Sequence, residues 1–587
     1  MKGKNTNIWS VLRLSIKISL ESSFMFSMIR IFCTLLNSVI PTLKLFIMKL
    51  IIDYLFLKMR SETFFFVIIY IVILMINMAI DKMNNYISRM HGEKISFQVS
   101  KTIINKVREL DISYYDNPKL YDEMSIITNN GGAISNLFWS MVSLSQGILQ
   151  LIISFIIISK IGMVYAIILV LSSLPYYFVE RKNEIDTYLW NRENENKKRK
   201  INYLYRVLIE KYYSIDIRVN NSSTYMQEKY CSNWNAWFNL KNNFVRWQFI
   251  KSFFSILLSN IVASVFLLIM TYNVLFKEMS VSDFTYYLGV STQLISYTYF
   301  VLSVFSSFKQ LKMKTESYYD FLGWKSKVSY KKSENSNYKK FISLKFEHVS
   351  FTYPNCREQI LKDISFEIKA GEKVLLIGNN GSGKSTLIKL ILRLYEPTEG
   401  KIFINGKLIS EYSQSEYYKI FSYLPQNFIN YAFTIKENIF CADPDLNDGM
   451  RVFQCLKKAN LLKRVNELPN DIDTYISKQF DLEGVELSGG EWQKLALARF
   501  FYRDAEINIL DEPSSSLDVF SQDNILANML DDSVDKTVLL ISHRLVSLDK
   551  INRIISLVNG SIIENNMPEV LDKEDGFFAK WKEKITK

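Results

Sequence analysis

The stretch Lys373-Val-Leu-Leu-Ile377, followed by Gly378-Asn379-Asn380-Gly381-Ser382-Gly383-Lys384-Ser385-Thr386, decides how the C-terminal part of this chain folds. Its first five residues form a short apolar run of the kind that fills a buried parallel strand. After the Gly-rich segment, Leu387–Leu394 repeats apolar residues at helical spacing. Strand, loop and helix in that order make a phosphate cradle. Gly378, Gly381 and Gly383 let backbone amides close around an anion, and the helix N-terminus adds positive potential. Lys384 is then spaced to reach the β- and γ-phosphates of a nucleotide, and the Ser385 hydroxyl to ligate Mg²⁺.

Downstream, the apolar strand Ile507–Leu510 ends in Asp511-Glu512. Beside a phosphate loop, Asp511 can hold Mg²⁺ through water and Glu512 can polarise the attacking water. Leu487-Ser488-Gly489-Gly490-Glu491 precedes an amphipathic helix, Trp492–Phe501, and makes a second anion-binding turn. Gln426, after Tyr423-Leu424-Pro425, and His543, after the strand Thr537–Ser542, both sit at strand ends. In open α/β sheets that is where ligands bind, and Gln426 can reach a metal-bound phosphate. Alternating strands such as Ser343–Val349 and Ile364–Ile368 start this α/β domain, so it is drawn as 343–587. Residues 326–342, rich in Lys, Ser and Asn, read as a linker, and 1–325 as a separate domain.

Charge separates the same two parts. Residues 341–587 hold 30 Lys and Arg against 36 Asp and Glu, whereas residues 1–340 hold 41 against 23. A basic half can mark a nucleic-acid binder. Here it also carries long apolar runs at about 24–57, 63–80, 133–159, 161–179, 252–276 and 284–308. Each approaches the roughly 20 residues that cross a bilayer, so six spans are predicted and nucleic acid is not expected. Lys and Arg crowd 81–132 and 180–251, including Lys197-Lys198-Arg199-Lys200, and thin out in the short loops between. This positive-inside pattern puts both termini and the second domain in the cytoplasm. The start shows no cleavable signal pattern.

Within the first span, Lys49 and Asp53 stand i,i+4 and are read as a structural pair near the outer surface; with Lys44 they could instead line a path. Arg30 is expected to snorkel to the inner surface. Five cysteines without a CxxC pair are expected to be reduced and mostly buried. Two polar stretches, Asp111–Met124 with Asn117-Pro118 and Tyr213–Asn221, are expected to be turns where long helices double back.

In order and spacing, the phosphate loop, Gln426, the Ser488-Gly489-Gly490 turn, the Asp511-Glu512 strand end and His543 resemble the ATP-binding cassette family. Six spans ahead of one cassette resemble its exporter half-transporters, over essentially the whole chain. The fold implied is a polytopic α-helical membrane domain fused to a cytoplasmic α/β P-loop nucleotide-binding domain. The resemblance implies that Gly378–Thr386 binds ATP, that Tyr353 stacks on adenine and that Asp511 serves Mg²⁺. It makes Glu512 the catalytic base, Gln426 the residue linking metal and water, and His543 the switch histidine. Asp518, in Ser515-Ser516-Leu517-Asp518, would touch the partner cassette, and Ser488, Gly489 and Gly490 would contact ATP on the partner's loop. Each site position carries a competent residue, so a homodimer with two equivalent composite sites is expected. Tyr114–Leu120 and Ile215–Asn220 would be coupling turns. Departures are Glu491 where Gln is commonest, Ser516 where Ala is usual, and a looser Asp481–Glu486; the last bears on substrate class.

For cargo, Glu486–Phe500 with Trp492 looks similar to bacterial exporters of lantibiotics and related ribosomally made peptides. No cysteine peptidase precedes the spans, so a leader peptide would be removed elsewhere. A multidrug or lipid exporter of amphiphiles is the alternative, and a membrane-anchored regulatory ATPase without a solute the third reading. Abundant Lys, Ile and Asn suggest a bacterial plasma-membrane protein from a low-GC host.

Overall fold

The computed structural model describes residues 8–116, 131–277, 279–326, 328, 340–354, 356–513, 536–542 and 548–586. The chain divides into two compact units, one of residues 1–108 with 119–324 and one of residues 109–118 with 325–587. Segment 109–118, which the sequence reading kept in the membrane domain, therefore clusters with the second unit.

Among the described residues of the first unit, six helices are long and apolar enough to cross a membrane: Phe24–Phe56, Arg60–Glu109, Ile134–Ser159, Met163–Glu193, Ser223–Phe276 and Val281–Leu322. We call them spans 1 to 6. Spans 2 and 5 run for 50 and 54 residues. At about 1.5 Å per residue they far exceed the roughly 30 Å of hydrocarbon in a bilayer. They are the long extensions expected from the polar inner stretches. A further helix, Ile8–Ser22, leads into span 1.

Polar residues in the spans repair broken helices. Pro41 lies inside span 1 and has no N–H for the Asn37 carbonyl. Gln150 of span 3 donates Nε2–H to that carbonyl at 2.9 Å. Span 4 breaks at Ser172–Ser173 just before Pro175. There the Ser259 hydroxyl of span 5 donates to the Ser172 carbonyl at 2.6 Å. Without water in the hydrocarbon, freed backbone groups need partners of this kind.

Three expectations are corrected. Lys49 does not pair with Asp53; its Nζ meets Asp283 of span 6 at 2.6 Å, and the Asp53 carboxylate accepts from Ser282. The reason is close helix packing. A Cβ on Gly289 of span 6 would lie 2.7 Å from Leu45 of span 1, so the neighbouring helix offers a nearer partner than the next turn. Arg30 does not snorkel freely, because its guanidinium lies 3.7 Å over the Trp139 ring. The cysteines are free, but only Cys33 and Cys455 are buried; Cys231, Cys356 and Cys441 are exposed on polar helix faces and loops.

The second stretch expected to turn is a short helix, Lys211–Val219, ended by Asn221 at φ +49°. Tyr212, Ile215 and Val219 stand exposed along it.

The described residues of the second unit form two sheets. An antiparallel one has the order β2-β1-β4-β5, from β1 (Ser343–Phe351), β2 (Leu361–Lys369), β4 (Glu399–Ile404) and β5 (Lys407–Leu408). The other has the order β10-β9-β3-β8-β7-β6. It comprises β3 (Lys373–Ile377), β6 (Phe421–Leu424), β7 (Ile507–Asp511), β8 (Thr537–Ile541), β9 (Arg553–Val558) and β10 (Ser561–Asn566). Strands β9 to β6 are parallel, and β10 runs antiparallel at the edge.

The central strands separate two apolar cores. Leu375, Ile377, Leu510 and Leu540 join one, while Val374, Leu376, Ile509 and Ile541 join the other. Period-2 alternation with both faces covered explains why these strands read as continuous apolar runs. The helix after β3 is Lys384–Ile391, starting three residues earlier than its apolar pattern.

Candidate functional site

The sheet presents the C-terminal ends of β3, β6 and β7, and the candidate residues gather there. Loop Gly378–Gly383 follows β3 directly. A Cβ on Gly378 would lie 2.3 Å from the Leu557 carbonyl oxygen and 2.6 Å from Ser382 Oγ, so the strand exit admits only glycine. Gly383 caps the next helix at φ +107°, in the left-handed region that favours glycine.

Lys384 is buried, and its Nζ donates to the carbonyls of Gly378 and Asn379 at 2.8 and 3.0 Å. Burial lowers its pKa, with Glu512 and Asp511 opposing. The Ser382 hydroxyl is buried with no partner among the described residues. A loop with a folded-back ammonium and an unsatisfied hydroxyl fits a polyphosphate anion. Asn379, Asn380, Gly381 and Ser385 line its exposed side.

Asp511 is the last residue of β7 and is only 6% exposed. Burial pushes its carboxyl up to about 6, with Glu512 adding and Lys384 opposing. A buried carboxylate held near an ammonium suits a divalent cation, which would supply the charge it lacks. The neighbouring Tyr423 hydroxyl bonds to it, and burial together with that carboxylate raises the Tyr423 pKa.

Glu512 continues the sheet by donating its N–H to the Ile541 carbonyl at 3.0 Å, yet has φ +50°. That conformation is costly for a side chain with a Cβ and turns the carboxylate away from the strand direction. Its Oε2 accepts from Gln426 Nε2 at 2.7 Å. Two residues 86 positions apart are thus joined beside the phosphate loop.

Tyr353 stands next to the same loop. Its hydroxyl lies 3.1 Å from Thr386 Oγ1, and Lys389 Nζ is 5.2 Å from its ring centre. Tyr395 packs edge-on against it at 5.3 Å, so the ring is braced from behind.

Ser488 is the N-cap of the helix Gly489–Tyr502 and forms a reciprocal capping box with Glu491. Arg464 Nε donates to the same Glu491 at 2.9 Å. Burial works against the Glu491 carboxylate, but the Ser488 amide and hydroxyl and Arg464 hold its pKa below the ordinary range. The departure at Glu491 therefore has a local cause: a carboxylate accepts from the cap and from an arginine at once. Ser488 and Gly489 are exposed, and a Cβ on Gly489 would meet nothing within 4 Å. His543 and Asp518 lie outside the described residues.

Four contributors carried no motif. Gln493 donates Nε2–H to the Pro513 carbonyl, tying the helix of Ser488 to the residue after Glu512. Arg499 donates to the carbonyl and side chain of Asn438 and to the Ile429 carbonyl. Tyr423 reaches Asp511 as described. The Tyr395 hydroxyl donates to Asp116, within the segment expected to be the first coupling turn. That segment is a single helical turn, Ile112–Tyr114, capped by Asp111. It is held further by Tyr114 donating to the Lys325 carbonyl at 2.8 Å and Ser326 to Asp111 at 3.0 Å. Its remaining residues, from Asn117 on, lie outside those described.

A family model described as ABC transporter matches residues 361–515. The subtilin transport ATP-binding protein of Bacillus subtilis is 28% identical over 586 residues, covering 96% of this chain and 92% of the relative. The nisin transport ATP-binding protein of Lactococcus lactis subsp. lactis is 26% identical over 518 residues, covering 86% and 84%. The chain is an ATP-binding cassette exporter half-transporter.

The half-transporter's fold is shared along its whole length with a solved bacterial Atm1-family ABC exporter with ATP bound. That match has a TM-score of 0.79, 20% identity, and 99% coverage of both chains. At that identity the likeness speaks for the fold. An ATP-dependent lipid A-core flippase of Burkholderia thailandensis is 35% identical, but over 239 residues, 40% of this chain and 39% of the relative. The half-transporter is accordingly a multi-pass membrane protein and a transport-coupled ATPase that binds ATP.

Proposed function

We propose that two copies of this half-transporter form a homodimer that exports a ribosomally made, modified or antimicrobial peptide from the bacterial cytoplasm. The observation that carries the cargo class is the likeness to the subtilin and nisin transport proteins across both units rather than the cassette alone.

In this reading both termini and the cassette are cytoplasmic. Tyr353 offers its ring to adenine. The amides of Gly378–Gly383, the Ser382 hydroxyl and Lys384 take the β- and γ-phosphates. Ser385, Gln426 and, through water, Asp511 hold Mg²⁺, which when bound neutralises charge on the phosphate oxygens. Glu512 accepts a proton from the water that attacks the γ-phosphorus as the bond to the β-phosphate oxygen breaks. Gln426 keeps the Glu512 carboxylate in register. His543 acts on the γ-phosphate and Asp518 at the partner cassette. Ser488, Gly489 and Gly490 serve ATP held on the partner's loop, and the outward exposure of Ser488 and Gly489 in one chain supports that role. Closure on ATP and reopening after hydrolysis reach the membrane unit through the turns at Asp111–Asp116 and Lys211–Val219, giving alternating access.

A second reading, export of a lipid or other amphiphile, rests on the shared stretch with the lipid A-core flippase. Untargeted mass spectrometry of host culture medium separates the two. Wild type is compared with Glu512→Gln, which should bind ATP yet lose about 10²–10⁴-fold in hydrolysis. A peptide absent from the variant's medium and retained in its cells supports the first reading; a lost lipid supports the second. Wild-type hydrolysis by the variant would remove Glu512 as the base.

A further inference from the structure

In the membrane unit, four helices bring together polar groups that the transport cycle described above does not use. The leading helix Ile8–Ser22 gives Ser19 and Ser22, span 1 gives Arg30, span 2 gives His91 and Lys94, and span 3 gives Trp139. His91 is wholly buried. Ser22 Oγ donates to the Ser19 carbonyl at 2.8 Å, and His91 Nε2 lies 3.0 Å from both of those oxygens. The other ring nitrogen, Nδ1, is buried without a partner among the described residues.

His91 and Arg30 pack on the same indole. The His91 and Trp139 ring centres are 5.1 Å apart, and the Arg30 guanidinium is 3.7 Å from the Trp139 ring centre. Arg30 Nη1, Trp139 Nε1 and Ser19 Oγ are also buried without partners among the described residues. Lys94, exposed one turn beyond His91, leans over Phe26 at 4.7 Å, and Phe26 in turn meets the His91 ring.

Buried polar atoms without partners are uncommon and costly, and a guanidinium in a membrane helix is costlier still without a counter-charge. The unsatisfied set is rich in donors: guanidinium, indole N–H and hydroxyl. The set lacks an acceptor carrying negative charge. Arg30 sits in the second turn of span 1, directly after the leading helix, and the first turns of a span are where headgroups are met.

We propose that this cluster is a binding site for a phosphate-type anion, carried by a membrane-lipid headgroup or free in solution. The anion compensates Arg30 and pins the leading helix to spans 1, 2 and 3. The site is independent of which solute is exported.

The test uses full-length protein in nanodiscs of phosphatidylcholine alone, the same with phosphatidylglycerol, and the first with added inorganic phosphate. Melting temperature and lipid retained by native mass spectrometry are read for wild type, Arg30→Gln and Arg30→Lys. A lipid-headgroup source predicts that phosphatidylglycerol raises the wild-type melting temperature and stays bound. Arg30→Gln then loses about tenfold or more in retention, as expected for one charge-assisted contact, while Arg30→Lys keeps most of it. A free-phosphate source predicts the same pattern of melting shifts with inorganic phosphate instead. Because the shift is read within each variant, a weakened fold does not mimic loss of binding. If neither probe shifts wild type, or if Arg30→Gln responds like wild type, the site is refuted.

Discussion

Arg393 and Arg30 are both arginines drawn inward, and they are compensated in opposite ways. In the cassette, Arg393 is 1% exposed and donates to Glu396, three residues on, through Nε at 2.9 Å and Nη2 at 2.7 Å. In the membrane unit, Arg30 has the face of Trp139 from another span and no carboxylate among the described residues. The contrast extends beyond these two. Cassette caps are local, as in Ser488–Glu491, Ser413–Glu416 and Thr434–Glu437. Polar groups in the spans reach across helices, as in Lys49–Asp283, Gln150–Asn37 and Ser259–Ser172. The difference teaches where each unit stores its specificity: in short sequence words for the cassette, and in helix pairing for the membrane unit.

The largest effect expected is on the local side. Lys384→Ala should weaken nucleotide binding by about a hundredfold or more, since a buried ammonium and its charge-assisted contacts are lost. Titration with a fluorescent ATP analogue reads this; binding within twofold of wild type would break the assignment of the loop.

Next comes the interhelical pair. Lys49→Ala and Asp283→Ala should each lower the melting temperature by several degrees, because each leaves a partly buried charge without its ion-pair partner. The exchange Lys49→Asp with Asp283→Lys should recover much of the loss. If the exchange is no better than the single changes, the pair is incidental and the contrast between the units weakens.

A third test probes a polar link from the expected coupling turn to the cassette, the bond between Tyr395 and Asp116. Tyr395→Phe removes the hydroxyl that donates to Asp116 but keeps the ring packed on Phe351 and Tyr353. Cargo-stimulated hydrolysis should fall a few-fold with nucleotide affinity unchanged. An equal fall in basal hydrolysis would instead make Tyr395 a brace for the nucleotide site.

The smallest effect concerns Glu491. Glu491→Ala should cost about 1 kcal/mol of cassette stability through the lost cap, whereas Glu491→Gln keeps a side-chain acceptor and should cost less. The folded-state pKa of Glu491 is depressed below 4.5. Its contribution is therefore present above that value and fades as pH falls through the folded pKa. Melting curves at neutral and acid pH read both, and a pH-independent difference between wild type and Glu491→Ala would refute the cap's electrostatic part.

Much of the site was legible because phosphate chemistry constrains neighbours in sequence. Gly378 to Thr386 must be contiguous to wrap an anion, and Asp511-Glu512 must end a strand. Two things hid the rest. Tyr395, Tyr423, Gln493 and Arg499 act through long-range bonds and have no fixed spacing. The Lys49–Asp53 expectation failed because i,i+4 spacing shows which charges could pair on one helix but not whether a neighbouring helix lies closer.

By itself, then, the sequence determined that six apolar segments span a bilayer and that one α/β cassette binds ATP. Segment length against bilayer thickness and backbone geometry around a phosphate are both properties of local chain. Only the tertiary structure decided which span answers Lys49, Gln150, Ser259 and Arg30, that Gln426 meets Glu512, and that Tyr395 meets Asp116. Those contacts depend on close packing between distant segments, where an ångström of approach selects the partner and spacing along the chain carries no trace of it.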